Sequence, residues 1–229
     1  MILVSDLDDT LFSEIDYVHS AYRAIGNALE ADGVMSVGEA VNVLESASSI
    51  ASGFDELAEG IALNVGASEK YDVQWMLNIY RYHSPKISLR SDVKQTLELL
   101  FARGVKMAII TDGRVRTQRA KIHALGLDQY VLPSDIIISE NVGADKNTNI
   151  PFKTLMMHHP HEKHWVYVGD NIAKDFHWPN LMGWTTVQLL DDGKNIHRNV
   201  DVQALSPDFH PQHRIAYFSQ LLNILSFEN

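Results

Sequence analysis

The sequence contains no cysteine, so it has neither a disulfide framework nor thiol chemistry. It has no apolar stretch long enough to span a bilayer. Positive charge is also scarce, since 19 lysines and arginines stand against 29 aspartates and glutamates and leave a net charge of −10. This acidic balance argues against nucleic-acid polymers and anionic membranes as main partners. A small phosphate ester stays compatible, because a bound cation can dominate the local field.

The amino terminus carries no basic, apolar leader before its first strand-like segment. Together with the missing cysteines, this favours a cytoplasmic protein. The 229 residues are enough for one large domain or for a domain with an insertion. Hydrophobic residues at 45% and charged residues at 21% are typical of a globular chain.

Three acids follow directly after the first apolar segment. Residues 2–4 are typical of a buried strand, and Asp6 and Asp8 stand two apart, so their side chains share one face of an extended chain. Neighbouring carboxylates repel each other unless a cation or a shared proton joins them. Hard oxygen ligands favour magnesium. The spacing alone also fits an acidic turn after an edge strand.

Later apolar runs, at residues 109–110, 136–138 and 166–168, repeat this arrangement. The polar side chains that follow these runs are Thr111, Lys146, Asp170 and Asp175. Strands that alternate with helices indicate a parallel, doubly wound α/β sheet. Such sheets bind ligands outside the carboxyl ends of their strands, so we expect these side chains to meet there.

The apolar patterns predict five strands, at residues 2–4, 105–110, 136–139, 165–169 and 184–190. Spacings of three and four predict helices at about 15–29, 37–44, 55–63, 68–83, 91–103, 116–125, 151–158 and 213–225. Ser36 and Glu39 form a predicted capping box, and Ser68 and Ser91 are predicted N-caps. Residues 46–53 are predicted to end a helix and form a loop.

These motifs resemble the haloacid dehalogenase superfamily, in its phosphatase branch with a helical cap inserted after the first motif. The matching motifs occur in the family's order: DLDDT at 6–10, TDG at 111–113, Lys146, and GDNIAKD at 169–175. The first and last motifs are specific in combination, whereas TDG and a single lysine are weak by themselves. The likeness extends from Met1 to about Leu190.

The resemblance implies two domains. Residues 1–12 and 88–229 would form the Rossmann-like α/β catalytic core, and residues 13–87 an all-helical cap domain. A lid of this kind excludes water and supplies substrate contacts. Hinges are expected near residues 12–13 and 85–89.

The resemblance and the chemistry of phosphoryl transfer assign roles to the acids. Asp6 would attack phosphorus and form an aspartyl phosphate, which splits one difficult step into two. Asp8 would protonate the leaving oxygen and then activate water. The family holds its metal, here Mg²⁺, through residues that match Asp6, the backbone carbonyl of Asp8, and Asp170. Asp175 would be a further ligand or would orient the site.

The phosphate is expected to contact Thr111, through its hydroxyl, and the backbone N–H groups of Asp112 and Gly113. Lys146 matches the motif lysine that pairs with the nucleophile and the phosphate. The proline that usually follows this lysine is absent, so Lys153 on the next helix stays an alternative. A histidine cluster could bind zinc, although a solvated loop is the favoured interpretation: His158, His159, His161 and His164.

The sequence therefore predicts a magnesium-dependent phosphatase acting on a small phosphomonoester, a phosphosugar or a nucleotide monophosphate. Asp8 argues against dehalogenation, because a leaving halide needs no proton. It also argues against phosphonate cleavage, in which the family places a small residue at that position. A phosphosugar mutase keeps both acids and remains an alternative. A binding protein that has lost catalysis is disfavoured by the complete acid set.

Overall fold

The computed structural model describes residues 1–65, 69–196 and 205–225. The strands are β1 (Ile2–Ser5), β2 (Lys106–Thr111), β3 (Val131–Ile138), β4 (Trp165–Gly169), β5 (Thr185–Leu189) and β6 (His213–Ile215). The helices are α1 (Glu14–Ala31), α2 (Val37–Ser46), α3 (Ile50–Val65), α4 (Val73–Tyr82), α5 (Ser91–Ala102), α6 (Val115–Ala124), α7 (Ser139–Val142), α8 (Ile150–His158), α9 (His177–Leu181) and α10 (Leu221–Ile224).

The strands form one parallel sheet in the order β3-β2-β1-β4-β5-β6. Strand β1 lies at the centre, where Ser5 pairs with Ile109 on one side and Val168 on the other. Helices connect the successive strands from β1 to β5, as parallel pairing requires, and the described residues between β5 and β6 include a 3₁₀ turn, Pro207–Phe209. The predicted doubly wound α/β fold is confirmed.

The core is continuous across the sheet because the central strands are apolar on both faces. All four residues of β1 and all five of β4 are buried. Trp165 and Trp184 stack with ring centroids 4.8 Å apart. The core cluster consists of Ile2, Val4, Ala108, Ile110, Ile137, Phe152, Leu155, Trp165, Tyr167, Ile172, Phe176 and Trp184. This packing holds the carboxyl ends of the strands in fixed positions.

The chain divides into two compact units, one of Met1–Ile15 with Ile87–Asn229 and the other of Asp16–Lys86. The second unit contains most of α1 together with α2, α3 and α4, and aromatic rings pack against one another in its interior. Tyr22 and Tyr80 both pack edge-on against Phe54. Among the helices in the described part of the chain, none has the length and hydropathy that a membrane crossing requires.

The predicted helix at 213–225 is wrong, and with it the prediction of only five strands. Residues 213–215 instead form the edge strand β6, in which Ile215 pairs with Leu189 and accepts a hydrogen bond from the Leu190 N–H at 2.8 Å. A 3₁₀ turn, Phe218–Gln220, and the short helix α10 follow. Strand β6 supplies hydrogen-bond partners to the backbone groups along the edge of β5. These long-range bonds stabilise the strand more than the local spacing of apolar residues would stabilise a helix.

Smaller differences concern helix ends. Ser36 and Glu39 form the predicted capping box. Helix α3 begins at Ile50, inside the predicted loop. Ser68 lies outside the described residues, and α4 is capped by Asp72, whose Oδ1 accepts from the Trp75 N–H at 2.7 Å. The predicted cap Ser91 is the first residue of α5, and the capping position is Arg90, which makes no side-chain cap bond.

Candidate active site

The predicted site residues converge at the carboxyl edge of the sheet. Asp6 follows β1, Thr111 ends β2, and Asp170 follows β4. The seven predicted residues that line one cavity of about 250 Å³ are Asp6, Asp8, Thr111, Asp112, Gly113, Lys146 and Asp170. The cavity walls also include Asp9, Glu14, Asn171 and Lys174, which sequence reasoning did not place there. The edge where a doubly wound sheet binds ligands is thus lined mainly by charged side chains.

Lys146 joins two carboxylates at the floor of this cavity. Its Nζ lies 2.9 Å from Asp6 Oδ1 and 2.6 Å from Asp175 Oδ1, and all three side chains are buried. Burial by itself would lower the pKa of Lys146, but the Asp175 and Asp6 carboxylates outweigh it and hold that pKa well above its ordinary value. Lys146 is therefore a permanent cation beside Asp6.

The loop before α8 places Lys146 there. Its backbone N–H donates to Asp112 Oδ1 at 3.1 Å, and Lys174 Nζ lies 3.8 Å from the other oxygen of the same carboxylate. Lys153, the alternative cation, is exposed on α8 and does not line the cavity. The lysine beside Asp6 is therefore Lys146.

Asp170 is held by protein donors on both oxygens. The Thr10 hydroxyl donates to Oδ1 at 3.4 Å, and the Asn195 amide donates to Oδ2 at 2.8 Å. Burial, and next the neighbouring Asp175 and Asp6, raise the pKa of Asp170 to about 9. Burial is also the main cause that raises the pKa of Asp6 to about 7, although Lys146 opposes it. A nearby positive charge therefore stabilises the ionised form of both carboxyls.

Three buried acids fit a divalent cation. Carboxylate oxygens of Asp6, Asp170 and Asp175 all lie within 4.8 Å of one another. Hard oxygen donors with a surplus of negative charge are what Mg²⁺ requires. The carboxylate of Asp175 already accepts from Lys146 and the Tyr167 hydroxyl on Oδ1, at 2.6 and 3.2 Å, and from the Asn171 N–H on Oδ2, at 2.8 Å. These contacts favour an orienting role for Asp175 over direct ligation.

Asp8 belongs to a second polar network, which sequence reasoning missed. Lys121 Nζ lies 2.7 Å from Asp8 Oδ1, and the Gln118 amide donates to Asp8 Oδ2 at 2.8 Å. The same amide lies 2.6 Å from Thr111 Oγ1. Gln118 and Lys121 stand three residues apart on α6 and so share one face. That spacing after the TDG motif was the available signal, but it is equally typical of a solvated helix face.

Asp9 shapes the turn between β1 and α1. It has a positive φ of 54°, the only such non-glycine residue among those described. Its Oδ1 accepts from the Glu14 N–H at 2.9 Å and its Oδ2 from the Ile196 N–H at 3.0 Å. The third acid of the motif thus stabilises the loop. The Gly113 N–H donates to Ser139 Oγ at 2.9 Å, so its role in phosphate binding stays a prediction.

The histidine cluster lies elsewhere. His159 Nε2 is 2.9 Å from Asp135 Oδ1, and His158 Nδ1 is 4.0 Å from the same atom. Within residues 1–65, 69–196 and 205–225, the acids and histidines close enough to share an ion do not include any of these histidines. After β5, the Oδ1 atom of Asp191 accepts from the N–H groups of Gly193, Lys194 and Asn195.

Comparisons with known proteins agree with this geometry. The family described as haloacid dehalogenase-like hydrolase matches residues 3–187. A glyceraldehyde 3-phosphate phosphatase of Methanocaldococcus jannaschii is 30% identical over 199 residues, which cover 82% of this chain and 84% of the relative. A ribulose-1,5-bisphosphate 5-phosphatase of Halopiger xanaduensis is 30% identical over 62% of this chain and 58% of its own. In fold, the chain resembles the HAD phosphatase of Thermococcus onnurineus, with a TM-score of 0.61 and 22% identity over 99% of this chain and 98% of the other.

Proposed function

Since the chain belongs to the haloacid dehalogenase-like hydrolase family, as its motifs predicted, we propose that it is a Mg²⁺-dependent phosphatase that hydrolyses a small sugar phosphate through an aspartyl-phosphate intermediate. The observation that carries the proposal is the buried Asp6 carboxylate with Lys146 Nζ at 2.9 Å and the open cavity beside it. The names of the two curated relatives support a sugar phosphate over a nucleotide as the substrate.

Asp6 acts as the nucleophile in this proposal. Phosphoryl transfer requires a positioned nucleophile and positive charge near the phosphoryl oxygens. Lys146 supplies a fixed ammonium that keeps Asp6 oriented and attracts the phosphate. The Thr111 hydroxyl faces the same cavity and donates to a phosphoryl oxygen.

Asp8 carries the proton. It protonates the alcohol oxygen that leaves and then accepts a proton from the water that hydrolyses the aspartyl phosphate. Its carboxylate lines the cavity beside Asp6, from which a leaving oxygen is within reach. The loss of phosphate, rather than its return to the sugar, distinguishes this reaction from that of a mutase.

Asp6, Asp170 and the backbone carbonyl of Asp8 would hold the magnesium, with Asp175 orienting Lys146 and the loop at Asn171. When bound, the metal neutralises the clustered carboxylates and the phosphoryl oxygens. Residues 13–87 serve as the cap domain that excludes water, as the family resemblance implies. The reaction takes place in the cytoplasm, in keeping with a chain that lacks cysteine.

The test measures phosphate release from glyceraldehyde 3-phosphate, ribulose 1,5-bisphosphate and a set of nucleoside monophosphates, with Mg²⁺ and with chelator. We expect release from at least one sugar phosphate with Mg²⁺, and release at the level of the protein-free reaction with chelator or with Asp6→Asn. The matched control is Asp192→Asn, which removes an exposed acid in the turn after β5 and should keep wild-type activity. Release that survives Asp6→Asn would exclude Asp6 as the nucleophile. Isomer formation without phosphate release would instead identify a mutase.

A further inference from the structure

Helix α6 directs two buried polar side chains at the acid that carries the proton. Gln118 is 2% exposed and Lys121 is 3% exposed, and both contact the Asp8 carboxylate. We propose that Lys121 and Gln118 are positioning residues. Lys121 fixes the Asp8 carboxyl for proton transfer, and Gln118 fixes both Asp8 and the direction in which the Thr111 hydroxyl donates. This inference rests on the proposed phosphatase function and adds residues that the family motifs do not contain.

Lys121 holds Asp8 from the side of the protein. Its Nζ lies 2.7 Å from Asp8 Oδ1, 3.8 Å from Glu14 Oε1 and 5.8 Å from the centre of the Phe12 ring. The Lys121 ammonium thus lies between two acidic side chains, Asp8 and Glu14. The Asp8 side chain keeps 19% of its surface exposed, towards the cavity that it lines. Its inner contacts are thus fixed while its outer side remains open to substrate.

Gln118 links Asp8 to Thr111. A side-chain amide has two N–H donors, and one faces Asp8 Oδ2 at 2.8 Å while the other faces Thr111 Oγ1 at 2.6 Å. The opposite orientation of the amide would turn its oxygen towards the Asp8 carboxylate and is repulsive. Thr111 therefore accepts from Gln118, so its own proton is available for an acceptor in the cavity. A phosphoryl oxygen is such an acceptor.

Both halves of the reaction need this arrangement. In the first, a bond forms between an Asp6 oxygen and phosphorus, the bond from phosphorus to the alcohol oxygen breaks, and the proton of Asp8 moves to that oxygen. In the second, the oxygen of water bonds to phosphorus, the bond to Asp6 breaks, and a proton of the water moves to Asp8. Each transfer requires the Asp8 carboxyl within hydrogen-bonding distance of the reacting oxygen, so a carboxyl that rotates freely loses rate in both.

The leaving group tests Lys121. An alkyl phosphate needs a proton on its leaving oxygen, whereas 2,4-dinitrophenyl phosphate does not. For Lys121→Met we expect kcat to fall by roughly 10²-fold or more for the alkyl ester, in line with loss of general acid catalysis, with KM little changed. With the dinitrophenyl ester, we expect a burst of one equivalent of phenolate at the wild-type rate, followed by slow turnover, because only the second step needs Asp8.

A double-mutant cycle separates positioning from general structural support. If Lys121 acts through Asp8, Lys121→Met should add no further loss in an Asp8→Asn background. The matched control is Arg119→Met, which removes a partly exposed cation from the same helix and should behave as wild type with both esters. An equal loss with both esters and no burst, or a full additional loss in the Asp8→Asn background, would overturn the proposal for Lys121.

Gln118→Leu provides an independent test if Lys121→Met does not fold. Because Gln118 also contacts Thr111, we expect this variant to raise KM for both esters and to lower kcat more for the alkyl ester. An unchanged KM together with an unchanged kcat would exclude Gln118. Wild-type protein and Asp6→Asn are measured in the same assay. A wild-type protein that releases no phosphate would overturn the proposed function. An active wild-type protein whose Lys121 and Gln118 variants have the same kcat and KM would overturn this inference alone.

Discussion

At the scale of residues, the site keeps its two principal acids in separate networks. Asp6 pairs with Lys146 and shares it with Asp175, while Asp8 pairs with Lys121 and Gln118. Two carboxyl groups two residues apart can take different roles when their surroundings differ, as the proposed nucleophile and the proposed proton carrier must. The separation follows from the extended chain after β1, which directs both side chains into the cavity but against different neighbours.

Residue 169, at the end of β4, is a glycine because the Asp175 side chain lies too close for a Cβ atom. A Cβ at residue 169 would lie 2.7 Å from Asp175 Cγ, closer than atoms of a packed protein approach. We expect Gly169→Ala to displace the Asp175 carboxylate from Lys146, to destabilise the protein by about 1–3 kcal/mol and to abolish phosphate release. Urea unfolding and the phosphate assay measure the two effects.

Gly60 in helix α3 provides the control for that substitution. A Cβ there would meet nothing within 4 Å. Gly60→Ala should therefore leave phosphate release unchanged and stabilise its helix by about 0.5–1 kcal/mol, because alanine loses less backbone entropy on folding. A Gly169→Ala protein as stable and as active as the Gly60→Ala protein would contradict the close approach to Asp175.

At the scale of elements, the capping box of α2 can be tested by itself. The Ser36 Oγ accepts from the Glu39 N–H at 3.3 Å, and the Glu39 carboxylate accepts from the Ser36 N–H at 2.9 Å. We expect Ser36→Ala to destabilise the helical unit by about 1 kcal/mol in denaturant unfolding followed by circular dichroism. Ser46→Ala at the other end of α2, where the hydroxyl only donates to the Asn42 carbonyl, should change stability by less than about 0.5 kcal/mol.

At the scale of the whole molecule, we expect the acid cluster to link folding to pH and to the proposed magnesium ion. The folded-state pKa values of Asp6, about 7, and Asp170, about 9, lie above the ordinary value of 3.8. Between pH 3.8 and about pH 9, the folded protein therefore binds more protons than the unfolded chain. Its free energy of unfolding falls as pH rises through this window. The raised pKa of Lys146 affects the free energy of unfolding only above pH 10.5, its ordinary pKa. It therefore does not change the direction of the effect in this window.

We therefore expect the protein in chelator to lose at least about 1.4 kcal/mol of stability, the equivalent of one pKa unit, between pH 5 and about pH 9. Magnesium at 100 times its dissociation constant should restore about 2.7 kcal/mol at the alkaline end, since it replaces the bound protons. The measurement is the thermal or urea midpoint against pH with and without Mg²⁺. Asp170→Asn should flatten the profile and reduce the gain from magnesium, and a wild-type profile that is flat in chelator would contradict the prediction.

The sequence by itself determined five of the six strands and the residues at the carboxyl edge of the sheet. Continuous apolar runs such as residues 166–168 are typical of strands buried on both faces, and a polar residue after such a run must lie where the strand ends. Asp6, Thr111 and Asp170 could therefore be placed together without coordinates. Local patterns were sufficient here because each strand specifies its own direction and burial.

Only the tertiary structure decided matters that depend on distant neighbours. The sequence favours Lys146 as the motif lysine but leaves Lys153 as an alternative, and the loop that turns Lys146 towards Asp6 and Asp175 separates them. The edge strand β6 forms because β5 offers it hydrogen bonds, a gain that spacing within residues 213–225 does not record. Gln118 and Lys121 have the spacing of a solvated helix face, and the carboxylate that they meet lies more than one hundred residues earlier in the chain. The role of a polar side chain depends on its partner, and the tertiary structure decides which residue that partner is.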